Sequence, residues 1–155
     1  MQGGIVDEVE AVGWLSHLLG MADEHGWALQ WVGPGDGELQ FCYTAGLYRY
    51  DLPELIVFGP CQADAARLLN TLGARMRAGN RYVDGDSIDD VWRHARVMEV
   101  LDSREHLVMA HPLARATRPL PALQVIYPDR DGRWPWQPGS RIANVPILGI
   151  VPDVG

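Results

Sequence analysis

Lysine is absent from this chain. All 13 basic residues are arginines, set against 20 acidic residues, for a formal charge of −7. The plain reading of an all-arginine complement is codon bias in a GC-rich genome. Nucleic-acid affinity comes mainly from neutralising phosphates, so an acidic chain without a basic run argues against general nucleic-acid binding. A local arginine patch stays open. Cysteine is scarce: Cys42 and Cys61 lie far apart and outside any Cys-x-x-Cys pattern, which excludes a disulfide framework. Long apolar runs are missing too. ELIVFG and VPILGIV are far shorter than the roughly 20 residues of a membrane-spanning helix. The N-terminal MQGGIVDEVEAVGW is acidic and has no charged-then-apolar secretory pattern. The expectation is a cytoplasmic protein without membrane attachment.

What is present suits one globular domain. The 155 residues are 47% apolar and 21% charged, ordinary values for a folded chain. A chain of this length buries roughly 68–70% of its unfolded surface, enough for a core without covalent staples.

The segment about 7–25 reads as a first helix. Val9, Val12, Leu15, Leu19 and Ala22 recur at three- and four-residue intervals, with Asp7, Glu8 and Glu10 in the first turn, where the helix dipole favours acids. Trp27, Leu29 and Trp31 alternate as on a half-buried strand, and LQFCYTAGLY reads as its hairpin partner across a glycine-rich loop. LIVFG is continuous and apolar, the mark of a central strand covered on both faces. A second helix follows, with Ala65, Leu68, Leu69, Leu72 and Met76 as its stripe and Gly79 as its stop. RHARVMEVL and ALQVIYPD supply two more strands. DSREHLVMAHPLA suggests a short third helix limited by Pro112. Residues 140–155 contain Pro146 and Pro152 and read as an extended tail. Together these predict a single α+β domain. A mainly antiparallel sheet of about five strands packs against two main helices, with one core between them.

The order of motifs resembles the domain of unknown function 4262 family, a bacterial and phage family. The matching residues are Tyr43, Thr44, Gly46 and Leu47; then Pro53, Glu54 and Leu55; then Leu69 and Asn70. Gln124, Pro128, Asp129, Gly132, Pro135 and Trp136 complete the series. The resemblance covers about residues 26–139. Relatives commonly carry histidine before the Pro-Glu pair, where this chain has Leu52, so no chemistry of that histidine carries over. The resemblance implies a fold but no reaction.

Two segments hold the candidate site residues. In YTAGLYRYDLPE, Tyr43, Thr44, Tyr48, Arg49 and Glu54 gather hydroxyls, a guanidinium and a carboxylate around a glycine bend. Such a set either orients a small polar ligand, with Arg49 as anion anchor, or makes a loop of half-buried tyrosines. In QVIYPDRDGRWPWQPG, Pro-Asp and Asp-Gly are strong turn formers. Trp134 and Trp136, two apart, cap one side of the turn as an aromatic plug or a ligand-facing wall. Asp-x-Asp-Gly is similar to the opening of a calcium loop, but the closing glutamate is missing.

Other chemistry finds little footing. Cys42 paired with His25, His94 or His111 would make a thiolate nucleophile, yet it sits in an alternating strand where small buried cysteines are common. No Gly-x-Ser-x-Gly elbow and no His-Glu-x-x-His pair occurs. His106 and His111 would diverge by about 140° on a helix. Neither metal nor cofactor is expected. The functional expectation is a non-enzymatic accessory or protein-interaction module with a protein partner. Two alternatives remain open. One is a small polar-ligand binder or hydrolase with a pocket between the two segments, joining Arg49, Glu54 and Asp129. The other is a self-assembling structural protein.

Overall fold

The computed structural model describes residues 8–35 and 37–152, with side chains from residue 12 onward. The elements are α1 (Glu8–His25), β1 (Ala28–Val32), β2 (Phe41–Ala45), a 3-10 turn (Leu47–Tyr50), β3 (Glu54–Phe58), α2 (Gln62–Arg77), β4 (Arg96–Glu99), α3 (Ala110–Ala114) and β5 (Ala122–Ile126). The strands form one sheet in the order β1-β2-β3-β5-β4. Every pairing is antiparallel except β3 with β5, which run parallel, Glu54 level with Ala122 and Val57 with Val125. The α+β class and mainly antiparallel sheet match the sequence reading. No helix among the described residues is long and apolar enough to cross a membrane.

Helix α2 buries the stripe that its sequence predicts, Ala65, Leu68, Leu69, Leu72 and Met76. Burying each large side chain contributes about 1.5–3 kcal/mol. Gly73 lies on the same face because a Cβ there would meet the Trp27 indole at 2.8 Å. Only glycine lets the helix approach so closely. The Trp27 Nε1–H donates to Asn70 Oδ1 at 2.9 Å, fixing the indole under the helix. Gly79, at φ 116°, closes the helix, its N–H bonding the Met76 carbonyl while the Asn80 N–H bonds the Arg75 carbonyl.

Helix α1 departs from its predicted stripe. Leu18 and Ala22 are buried and Leu15 and Met21 partly so, whereas Val12 and Leu19 are exposed at 61% and 39%. Apolar residues surround this helix, so spacing alone did not select the side that packs. The side chains of Asp7, Glu8, Val9 and Glu10, like residues 153–155 of the tail, lie outside the described residues. Helix α3 begins only at Ala110, so Pro112 stands in its first turn instead of limiting a longer helix. There the missing N–H costs no helical hydrogen bond.

The helices cover opposite faces, giving two cores where one was expected. α2 covers Leu55, Val57, Val97 and Val125, with Trp27, Leu29 and Trp31 at the margin. α1, α3 and the tail cover Tyr43, Ile56, Phe58 and Ala122. The parallel β3–β5 pair is the reason, since its crossover carries α2 over one face only. Gln124 straps the tail to the other face: its amide donates to the Pro146 carbonyl at 2.7 Å and accepts from the Leu148 N–H at 2.9 Å.

Candidate functional site

The segment YTAGLYRYDLPE folds around one carboxylate. Glu54 opens β3 fully buried. Its Oε1 accepts from Thr44 Oγ1 at 2.8 Å and from the Leu47 N–H at 3.2 Å. Its Oε2 accepts from the Gly46 and Tyr48 N–H groups at 3.2 and 3.0 Å. Thr44 Oγ1 also accepts the Leu55 N–H at 2.8 Å, tying the end of β2 to the start of β3. Gly46, at φ 134°, lets the backbone turn its N–H groups inward, and a Cβ there would meet the Trp27 Cα at 2.9 Å. Burial pushes the Glu54 pKa above the ordinary glutamate value, and the hydrogen bonds from Thr44, Tyr48, Gly46 and Leu47 oppose that rise.

The neighbouring candidates are also occupied. Tyr43 Oη accepts the Met109 N–H at 2.9 Å, and burial raises its pKa to about 12. Tyr48 Oη donates to the Leu113 carbonyl at 3.1 Å. Arg49 pairs with Asp23 of α1 at 2.8 Å, so the expected anion anchor is a bridge between two elements. Leu52 is buried in the α2-side core.

The second segment is the turn that its sequence predicts. Asp129 Oδ1 accepts the Asp131 and Arg133 N–H groups, each at 2.9 Å, and Oδ2 accepts the Arg141 N–H at 2.8 Å. These bonds, led by that from Arg141, hold the Asp129 carboxyl below its usual range. Trp134 and Trp136 stack with ring centres 5.6 Å apart and planes 8° from parallel.

Arg49, Glu54 and Asp129 do not share a cleft. Glu54 is level with Ala122 at the start of β5, while Asp129 follows its end at Ile126. The strand length alone, roughly 13 Å, separates them. Antiparallel pairing would have placed these two ends together; the parallel pair sends them apart.

The structure instead joins the tryptophan turn to residues that sequence reasoning passed over. A cavity of about 220 Å³ is lined by Asp84, Arg96, Met98, Ile126, Trp134 and Trp136. It shares Arg96 and Trp134 with a neighbouring hollow bounded by Ser87, Asp89 and His94. His94, Pro128 and Gly132 are shared in turn with a hollow flanked by Arg93 and Arg130. The Arg96 guanidinium lies 5.4 Å from the Trp134 ring centre, a cation–π approach. His94 adopts φ 61° and its N–H donates to Asp89 Oδ1 at 2.6 Å. A non-glycine residue held there is strained, as residues at functional sites often are. Trp136 Nε1 is shielded from water without an acceptor among the described residues. An unmet buried donor of this kind costs about 1–3 kcal/mol.

Other reactive side chains are held in structural roles. Cys42 is buried in the α2-side core, and burial pushes its thiol up to about 12, far from a thiolate. Ser103 and His111 approach to 3.3 Å, a pair that sequence spacing did not reveal. Ser103 Oγ donates to the Leu120 carbonyl at 2.6 Å, and His111 Nε2 accepts the Leu120 N–H at 3.0 Å. The pair therefore clips the approach to β5. Among the described residues no group of three or more His, Cys, Asp or Glu side chains could hold a metal ion.

Fold and site define a small α+β domain whose sheet is closed by a carboxylate-filled turn at one end and carries an arginine–tryptophan groove at the other. The chain belongs to the family described as Domain of unknown function (DUF4262), whose profile matches residues 21–141. That span holds all five strands, the Glu54 turn and most of the groove; most of α1 and the tail beyond residue 141 lie outside it. No curated protein and no solved structure matches the chain.

Proposed function

We propose that this chain is a non-enzymatic protein-interaction module, an accessory protein acting in the bacterial cytoplasm, in a host or phage context. Its partner surface is the groove between β4 and the 128–137 turn. The observation carrying this reading is the approach of Arg96 to the stacked Trp134–Trp136 pair, with Arg93 and Arg130 lining an adjoining hollow. Tryptophan and arginine are the side chains that most often anchor interfaces, since each combines a large contact area with directed polar groups. The Glu54 carboxylate, the Cys42 thiol and the Ser103 hydroxyl are all engaged in holding the fold, which favours binding over a chemical step.

The test is site-specific photo-cross-linking in producing cells. A photoreactive phenylalanine replaces Pro152, which borders the groove, or Val108, which is exposed at 59% away from it. The reading expects one discrete protein adduct from position 152 and none from position 108. Identical adducts from both positions, or none from position 152, would contradict it.

A further inference from the structure

We infer that the groove takes an extended acidic peptide segment of its partner, with spaced carboxylates on Arg96, Arg93 and Arg130 and an apolar side chain against the tryptophans. The inference rests on the groove being the partner surface. Its charge is asymmetric in availability. Asp84 accepts the Glu99 N–H at 2.8 Å, Asp89 the His94 N–H at 2.6 Å, and Asp129 three further N–H groups. These carboxylates are turned to the protein's own backbone. Arg93, Arg96 and Arg130, in contrast to these aspartates, have no ion-pair partner among the described residues. The fork of an arginine binds a carboxylate through two parallel N–H bonds.

Shape and charge together select the ligand. The cavities follow one another along the turn instead of forming one deep chamber, which suits an extended chain more than a compact small molecule. Three aspartates among three arginines make the groove locally balanced, and the whole chain carries −7. A densely charged polyphosphate would be repelled by that background more strongly than a segment whose few spaced carboxylates each meet one guanidinium.

A random peptide library displayed on a surface and selected against the purified full chain tests this. Selected peptides should carry Asp or Glu at spaced positions beside an apolar residue. Arg96→Gln, and separately Glu→Gln in the peptide, should each weaken binding about tenfold. Folding of each variant is checked by its denaturation midpoint. If selected peptides are purely apolar, ignore Arg96→Gln and yet fail on Trp134→Ala, the acidic class is overturned while the groove stands as a binding surface. A phosphorylated version binding more tightly than its carboxylate counterpart would overturn the carboxylate assignment. No enrichment, or binding indifferent to both substitutions, would overturn the inference and the groove together.

Discussion

Thr44 and Glu54 lock two strands together: the threonine hydroxyl donates to the Glu54 carboxylate at 2.8 Å while accepting the Leu55 N–H at 2.8 Å. The bond places a carboxylate among four donors, and an amide cannot take its place. Glu54→Gln would set an NH₂ against two of those donors. A buried charge-assisted network disturbed in this way costs about 3 kcal/mol. Urea denaturation should show that loss, and a midpoint within error of wild type would refute the network's importance.

Gly73→Ala sets two effects in opposition. Alanine favours the helix by about 1 kcal/mol, but the new methyl meets the Trp27 indole at 2.8 Å. Overpacking of this kind costs about 1–3 kcal/mol, so steric strain should win. A lowered urea midpoint with altered tryptophan emission is expected. A stabilised variant would mean that Trp27 yields.

Acid should loosen the loops before the core. Asp102 is held down to about 2, chiefly by the Arg104 side chain, and Asp129 is lowered by the backbone N–H groups around it. A carboxyl whose folded pKa is depressed contributes stability above its unfolded value, about 3.9, and loses it as pH falls through the folded one. Stability should therefore decline below about pH 4. Asp129→Asn should make that decline shallower; an unchanged acid limb would remove Asp129 from the account.

The two thiols should differ in reactivity. Cys61 is exposed and Cys42 buried, with its thiol raised to about 12. Iodoacetamide at mildly alkaline pH should add one adduct to the native chain and two in urea, counted by mass spectrometry. Rapid double labelling of native protein would place Cys42 within reach of solvent.

Legibility followed how local the signal was. The α2 stripe, the Trp27–Leu29–Trp31 alternation and the Asp129 turn rest on neighbours in sequence, and each was readable there. The parallel β3–β5 pair was not, because nothing local specifies which strand an apolar run will join. That one topological fact separates Asp129 from Glu54 and divides the core in two. Glu54 read either as a ligand-site acid or as a loop residue because three of its four donors are backbone N–H groups, which leave no mark in side-chain identity. In the groove, Trp134 and Trp136 stood out by composition, but Arg93, Arg96 and Arg130 did not. Arg93 and Arg96 share one segment and Arg130 lies 34 residues further on, and an exposed arginine in or beside a strand looks like any solvated charge. Arg96 carried the one readable sign, being polar on a strand whose neighbours Ala95, Val97 and Met98 are buried.

The most direct test of the binding surface is the affinity of the partner cross-linked from position 152, measured by calorimetry. Wild type would be compared with Trp134→Ala and with Arg67→Gln, a control on α2 far from the groove. With both variants folded, loss of a central aromatic anchor should weaken binding at least tenfold, about 1.4 kcal/mol or more, while Arg67→Gln binds as wild type does. Equal affinity of Trp134→Ala and wild type would contradict the account.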